Sequence, residues 1–438
     1  MAAISRTNHG EHTLALTRAN VEAAHKLILP HIHSTPVLTN TTLSTLASTP
    51  QTAKALEGTQ WEGQEPAKPN IRLFFKCENF QKIGAFKVRG AFHAVIRLIE
   101  ERGLDEVRKK GVVTHSSGMS VRHQSPSSIS PCWKRNSTAT DTETGNHAQA
   151  LALAAKTFAI PAHIVMPKIS TPSKIAGTQA QGAIVHFSGS TSQEREAVVG
   201  YVIAQTGATL IPPYDHPNII LGQGTMALEL QKEVDALLEQ HEDLGVHGAS
   251  HKGLDAVIAP CGGGGMLSGN AVALHGTDIQ VFGAEPSYQG GDDARRGVEA
   301  GERIRSVKTL TIADGLRTPL GDYTWRIISD KSYVSGLYAV TEQNIKDAMK
   351  LVLERMKCFV EPSAVVGLAT VLYNEEFRKM VEKEAGKGGW NIGVVFSGGN
   401  TTIEAITRIF ADVEDKRAER QEGVVGSDGK RVAENVAG

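Results

Sequence analysis

The stretch LDAVIAPCGGGGM, residues 254–266, decides how this chain folds. Seven residues of strand composition, 254–260, run through Cys261 directly into four successive glycines at 262–265. Glycines that follow a buried strand and precede a helix let backbone amides converge on an anion. The pattern matches neither the dinucleotide-binding fingerprint nor the P-loop. It predicts a phosphate-binding loop in an α/β protein, with a flexible turn as the alternative.

Strands and helices alternate outward from this stretch. Strand composition recurs at 71–78, 111–117, 162–167, 183–187, 279–286 and 392–399, and helical patterns occupy 17–29, 85–103, 146–158, 171–182, 192–207 and 341–357. Such alternation favours parallel βαβ units and open sheets covered by helices. Residues 48–70 are polar and aperiodic, which predicts a solvated insert, and the charged tail 412–438 is predicted to be disordered.

Composition and charge exclude several classes of protein. The 438 residues carry a net charge of −1, so a basic nucleic-acid binder or a polybasic membrane protein is not expected. No apolar run is long enough to span a membrane, and the N-terminus lacks the apolar core of a signal peptide. The wide spacing of the cysteines argues against a disulfide scaffold or a zinc ribbon. They are Cys77, Cys132, Cys261 and Cys358. We expect a cytoplasmic protein and leave mitochondrial import open.

Two further stretches could carry chemistry. In GAFKVRG, 84–90, Lys87 has apolar and small neighbours, and a partly desolvated lysine can form an imine. Taken alone, this stretch is better explained by a lysine on the surface of a helix. In FSGGN, 396–400, Ser397 follows a strand and could donate to a ligand nitrogen, while a glycine-rich helix start explains it equally well.

Together these stretches resemble the fold-type-II pyridoxal-phosphate family, in its serine racemase and serine–threonine dehydratase branch. The resemblance runs in family order through most of 30–405, in the stretches 33–40, 74–91, 112–118, 146–156, 221–230, 262–270, 283–286, 311–321, 354–367 and 394–400. It implies a two-lobed α/β enzyme like the tryptophan synthase β chain, each lobe an open, mostly parallel sheet covered by helices. The expected large lobe is 1–108 with 222–411, and the small lobe is 109–221.

The resemblance also implies roles for individual residues. Lys87 would hold pyridoxal 5′-phosphate covalently and, once substrate displaces it, move the α-proton. Ser117 would be the second acid/base, on the opposite face of the cofactor. The remaining cofactor contacts implied are Asn146 at the 3′ oxygen, Gly262, Gly263, Gly264, Gly265 and Met266 at the phosphate, and Ser397 at the pyridine nitrogen; Ser116 and His147 would contact substrate.

A divalent-cation site is the next implication of the resemblance. Glu285 matches a metal ligand of the racemase branch, and aligning the longer turn SYQGGDD from its end adds Gly291 and Asp293. Oxygen ligands of this kind suit Mg²⁺ or Ca²⁺. The alternative is an acidic surface turn.

The chain departs from the family at the motif S-S-G-N-H-A-Q. Ser116, Ser117 and Gly118 are separated from 145–149 by a polar, aperiodic segment. Removing 119–145 restores the motif without a frame shift, and the flanking codons can encode splice signals. We therefore hypothesise a retained intron or gene-model error, with a genuine loop as the alternative, and expect weak or no activity from the chain as written.

The expected function follows from this resemblance. We predict β-elimination of water and release of ammonia from L-serine and L-threonine, with serine racemase activity as an accompanying reaction. The alternatives are 3-hydroxyaspartate dehydratase, a catalytically impaired cofactor-binding protein and, more distantly, a nucleotide-binding protein without imine chemistry. The expected partners are a small amino-acid substrate and a second copy of the chain in a homodimer, with neither nucleic acid nor membrane.

Overall fold

The computed structural model describes residues 4–6, 12–115, 143–170, 172–189, 191–246 and 253–411. The described residues up to 400 belong to one compact unit, and those from 401 belong to a second, which contains a helix over 403–411. Ser116, Ser117 and the tail 412–438 lie outside the described residues, as does most of 119–145.

Helices and strands alternate through the first unit. The strands are β1 (Ile4–Arg6), β2 (His12–Leu14), β3 (Val37–Thr39), β4 (Ile71–Cys77), β5 (Val112–His115), β6 (Ala162–Pro167), β7 (Ile184–Ser188), β8 (Thr209–Leu210), β9 (Ala256–Pro260), β10 (Gln280–Pro286), β11 (Gly336–Val340) and β12 (Trp390–Phe396). The α-helices are α1 (Arg18–Ile28), α2 (Thr41–Ser48), α3 (Ala53–Leu56), α4 (Lys87–Arg102), α5 (Leu104–Lys110), α6 (Glu143–Thr157), α7 (Pro172–Ala180), α8 (Ser192–Thr206), α9 (Pro217–Gln240), α10 (Gly265–Leu274), α11 (Asp293–Ala300), α12 (Asp322–Ile328), α13 (Glu342–Leu351), α14 (Val366–Tyr373) and α15 (Glu375–Ala385).

A six-stranded sheet forms the larger layer. Its order is β11-β10-β9-β12-β4-β3, with β3 antiparallel and the other strands parallel. The central strands β9, β12 and β4 are followed by the glycine stretch, by Ser397 and by the start of α4, respectively. Because carboxyl ends of parallel strands share one edge of a sheet, the three predicted stretches meet there.

A four-stranded, wholly parallel sheet forms the second layer, in the order β7-β6-β5-β8. All its strands lie between 112 and 210, inside the range expected for the small lobe. The sheets and their covering helices have the α/β architecture that the sequence predicted. The exact boundaries of the lobes stay a prediction.

Glycines allow the helices on the large sheet to cross closely. A Cβ atom at Gly224 of α9 would lie 2.4 Å from the carbonyl oxygen of Gly269 in α10, so neither helix tolerates a side chain there. Every residue of α10 is buried, which agrees with a composition that is apolar or small apart from Ser268 and Asn270. This packing fixes the N-terminus of α10 at the sheet edge that carries the glycine stretch.

The predicted helices and strands correspond closely to those observed, with two differences. The segment 48–70, predicted to be a solvated insert, contains the short helix α3 and buries Leu56 and Ala67. The pattern at 341–357 forms α13, capped by Thr341 as expected, but changes at Val352 to a π-helical turn. Lys357 follows with φ of 61°, which ends the helical run. Within the described residues, no helix is long and apolar enough to cross a membrane.

Candidate active site

A cavity lies at the carboxyl edge of the large sheet and gathers the three predicted stretches. The residues that line it are Phe86, Lys87, Asn146, Tyr214, Pro260, Gly262, Gly263, Gly264, Gly265, Met266, Gly315, Leu316, Glu361, Ser363 and Ser397. They come from positions far apart in the chain, so the fold alone brings them together.

Lys87 is the first residue of α4 and is only 4 % exposed. The interpretation as a surface lysine is therefore wrong. Its Nζ donates to the carbonyl oxygen of Pro213 at 3.2 Å, and the backbone amide of Phe86 donates to the carbonyl oxygen of Ser397 at 3.1 Å. The latter bond, with the bridge between Ala85 and Gly398, ties the lysine to the end of β12.

Asn146 is held in place by a chain of amide and carboxylate groups. Its Nδ2 donates to Oε1 of Glu361 at 3.2 Å, and its Oδ1 accepts from Nδ2 of Asn400 at 2.6 Å. A Cβ atom on Gly84 would lie 2.8 Å from Oδ1 of Asn400, so this arrangement requires the glycine. Sequence reasoning assigned no role to Glu361 or Asn400, although both lie in stretches that carry the family resemblance.

The glycine loop has no room for side chains. A Cβ atom on Gly263 would lie 2.6 Å from the ring of Tyr214, and Gly264 adopts φ of 84°, which favours glycine. Gly264 is also the N-cap of α10, with no side-chain hydrogen bond to cap the helix. The loop thus presents bare backbone and a helix N-terminus to the cavity, an arrangement that favours a phosphate.

Ser397 directly follows β12 and lines the same cavity while only 4 % exposed. Its hydroxyl is a neutral donor and acceptor, unlike a carboxylate. The cavity therefore combines a buried amine, an anion-binding loop and a neutral hydroxyl, and this donor set fits pyridoxal phosphate.

His147 does not line the cavity, although it is adjacent to Asn146 in the chain. Its Nε2 lies 3.3 Å from the carbonyl oxygen of Ile211, and its Nδ1 has no partner among the described residues. Burial, and secondarily the charge of Lys87, lower the pKa of His147 to about 3. The ring is therefore neutral at physiological pH. Its predicted substrate contact stays a prediction, as do the roles of Ser116 and Ser117.

The predicted metal ligands lie together outside the cavity. Glu285 is in β10, and Asp293 begins α11. The carboxylate of Glu285 accepts from the backbone amides of Ala294 and Arg295, at 3.1 and 2.8 Å. No group of three or more His, Cys, Asp or Glu side chains suited to a metal occurs in the described part of the chain.

Burial dominates the electrostatics of this acidic turn. It raises the pKa of Glu285 well above the ordinary value, and the nearby Asp293 adds to the rise. Burial likewise raises the pKa of Asp293 to about 7. Two buried carboxylates that resist ionisation fit a cation, whereas the bonds to Ala294 and Arg295 also fit a purely structural cap of α11.

Comparisons with known proteins identify the family. A family model described as "Pyridoxal-phosphate dependent enzyme" matches residues 126–398. A serine racemase of Arabidopsis thaliana is 38 % identical over 393 residues, which are 89 % of this chain and 95 % of that protein. The β-hydroxyaspartate dehydratase of Paracoccus denitrificans is 35 % identical over 393 residues, which are 89 % of this chain and 98 % of that protein.

Solved structures agree with this assignment. The structure of maize serine racemase has a TM-score of 0.68 and 34 % sequence identity, and the match covers 92 % of this chain and 99 % of that one. The fold-type-II architecture and the resemblance found in the sequence are thereby confirmed. The chain belongs to the family of pyridoxal-phosphate dependent enzymes, among its serine racemase homologues.

Proposed function

We propose that this protein uses pyridoxal phosphate to deaminate L-serine and L-threonine to 2-oxo acids. The observation that carries the proposal is the single cavity lined by Lys87, the glycine loop, Asn146 and Ser397. Each of these groups meets a different need of the cofactor: an amine, a phosphate site, and polar partners for the ring substituents.

When bound, the cofactor withdraws electrons from the substrate's α-carbon, so that a proton can leave it. Lys87 would hold the cofactor and, once free, accept the α-proton at Nζ. The carbonyl of Pro213, 3.2 Å from this Nζ, orients the amine. Glu361 and Asn400 fix both ends of the Asn146 amide, which prepares it to orient a ring oxygen.

Ser397 favours elimination over other reactions of the same cofactor. A neutral hydroxyl cannot keep a pyridine nitrogen protonated as a carboxylate would, so electrons are withdrawn less strongly. Loss of the α-proton would then be followed by departure of the β-hydroxyl group, which leaves as water once it gains a proton. Hydrolysis of the unsaturated amine that results would release ammonia and the 2-oxo acid. Serine, threonine and 3-hydroxyaspartate all carry that leaving group.

The relatives support two further activities for testing. One is serine racemisation, the activity named for the Arabidopsis thaliana relative. The other is 3-hydroxyaspartate dehydration, the activity that the name of the Paracoccus denitrificans relative suggests.

The deciding experiment is a keto-acid assay of two purified holoenzymes, the full chain and the protein without 119–145. The substrates are L-serine, L-threonine and L-threo-3-hydroxyaspartate, residual serine is analysed on a chiral column, and the shortened protein decides between the activities. We expect keto acid from serine and threonine. Turnover of 3-hydroxyaspartate alone would replace the proposal with the dehydratase. Cofactor binding without keto acid from any substrate would favour the catalytically impaired alternative.

We further propose that Glu285, the Gly291 carbonyl and Asp293 bind Mg²⁺ or Ca²⁺, since burial opposes ionisation of both carboxylates and the charge of Arg296 offsets it only in part at Asp293. Titration calorimetry with each cation tests this, and Asp293→Asn should abolish the binding heat.

We also propose a cytoplasmic homodimer, for which sedimentation analysis and cell fractionation are the checks.

A further inference from the structure

A buried ionic cluster lies directly behind the proposed cofactor lysine. Its centre is Arg89, which is fully buried. All the guanidinium nitrogens donate hydrogen bonds: Nε and Nη2 to Glu78 at 2.8 Å, and Nη1 and Nη2 to Glu229 at 2.8 and 2.7 Å. Nη1 also donates to Oγ1 of Thr225 at 3.1 Å.

The cluster joins the elements that surround the start of α4. Glu78 follows β4, while Thr225 and Glu229 belong to α9. The buried Lys76 of β4 donates to Glu233 at 3.0 Å and lies 3.0 Å from Oε2 of Glu229. The two cations, Arg89 and Lys76, thus offset the charges of the two buried carboxylates, Glu78 and Glu229, while Glu233 is partly exposed. Although burial opposes ionisation of Glu229, the bonds from His25 and Arg89 outweigh it and hold its pKa well below the ordinary value.

The position of Arg89 in the helix connects this cluster to the cavity. Residues two apart in an α-helix project about 200° from each other. Lys87 lines the cavity, and Arg89 therefore extends from the opposite side of the same turn into the cluster. Any rotation or shift of this turn would move the lysine and break bidentate bonds.

Close helix packing restricts the same turn further. The amide of Gly90 donates to Oε1 of Gln223 at 3.1 Å, and a Cβ atom on Gly222 would lie 2.7 Å from the carbonyl oxygen of Arg89. Backbone contact thus fixes the distance between α4 and α9, while the arginine fixes the orientation of the turn.

We propose that Arg89 is a positioning residue for Lys87: its bonds to Glu78 and Glu229 fix the helical turn that presents the lysine amine to the cofactor. The inference rests on the proposed function only in taking Lys87 as the cofactor lysine. A shift of about 1 Å in a reacting group can cost roughly 100-fold in rate, so such an anchor matters.

The test compares two fully buried arginines. Arg378 of α15 donates to the carbonyl oxygens of Ala47 and Thr49, at 2.6 Å each, and belongs to neither the cavity nor the cluster. Arg89→Lys and Arg378→Lys should both lower the melting temperature of the apoprotein. Only Arg89→Lys should weaken the binding of pyridoxal phosphate, by about tenfold, and alter the pH profile of reductive trapping of the cofactor on Lys87.

The proposal is overturned if folded Arg89→Lys binds and traps the cofactor as the unmodified protein does, or if Arg378→Lys loses the same affinity. Should Arg89→Lys fail to fold, Glu78→Gln decides instead, because it disrupts the two-bond pairing with Arg89. Its control is Glu375→Gln, a buried carboxylate 3.6 Å from Arg378 and outside the cavity. Equal cofactor affinity in that pair would also overturn it. These measurements need no substrate. The role of Arg89 can therefore be confirmed or refuted whether or not the protein deaminates serine and threonine.

Discussion

The two halves of the cavity are built in opposite ways. One half is backbone, residues 262–265, where the packing of Tyr214 and the conformation of Gly264 exclude side chains. The other half consists of side chains, Lys87, Asn146 and Ser397, each held by bonds to the chain around it or by burial. A substitution adds atoms to the first half and removes a functional group from the second, so the two halves should fail differently.

Replacing Lys87 should have the largest effect, because it removes the amine of the side-chain half. We expect Lys87→Ala to lower deamination by about 10²- to 10⁴-fold and to abolish reductive trapping of the cofactor. Lys82→Ala is the control, since Lys82 is close in sequence but donates to the His31 carbonyl. Mass spectrometry of the trapped protein checks the result, and near-normal turnover in Lys87→Ala would refute the proposed site.

Removing residues 119–145 should complete the side-chain half, because it rejoins Ser117 and Gly118 to Asn146. We expect the shortened protein to exceed the full chain in deamination by about 100-fold, since small displacements of reacting groups cost that much. Both purified forms are assayed on L-serine at saturating cofactor. Equal turnover would show that the segment is a genuine loop. The mature transcript would then be expected to include the codons for 119–145.

A side chain in the backbone half should weaken binding rather than chemistry. In Gly263→Ala, the new Cβ atom would meet the Tyr214 ring at 2.6 Å, so the loop or the ring must shift. We expect about tenfold weaker cofactor affinity and recovery of turnover at high cofactor concentration. Gly200→Ala in α8, where a Cβ atom meets nothing within 4 Å, should leave affinity unchanged. A loss of turnover that excess cofactor does not restore would contradict the division into halves.

The two halves also differed in how far the sequence predicted them. Four consecutive glycines after a strand indicate a loop with a function, and the structure adds only the reason, which is the ring of Tyr214. Lys87 was ambiguous, because local sequence does not reveal burial. Its burial comes from the fold, and its surroundings from residues as distant as Pro213 and Ser397.

The distant partners explain what sequence reasoning missed. Glu361 and Arg89 act through bonds to groups far away in the chain, at Asn146 and Glu229. No periodicity or spacing connects such pairs. Ordinary strand–helix alternation was sufficient to predict the layers, because burial patterns are local, whereas side-chain networks are settled only by tertiary packing.

The smallest expected effect concerns acid, to which the two halves of the cavity should respond at different pH values. His93 of α4 is buried, and burial lowers its pKa from 6.5 to about 4, with the Asn218 carbonyl 2.5 Å from Nδ1 opposing the shift. The folded protein keeps this ring neutral while the unfolded chain takes up a proton below pH 6.5. The contribution of the neutral His93 ring to the free energy of unfolding is therefore complete above pH 6.5 and is lost as the pH falls towards about 4.

We expect His93 to cost about 1 kcal/mol of stability between roughly pH 7.5 and 5.5. His93→Asn should flatten that part of the pH dependence, while His241→Asn, at the exposed end of α9, should not. Thermal unfolding of the apoprotein across this range measures it. Because His93 lies on the helix that begins with Lys87, acid should loosen the side-chain half first. The rate of reductive trapping on Lys87 should then fall before phosphate binding does, and the reverse order would show that the halves are not independently supported.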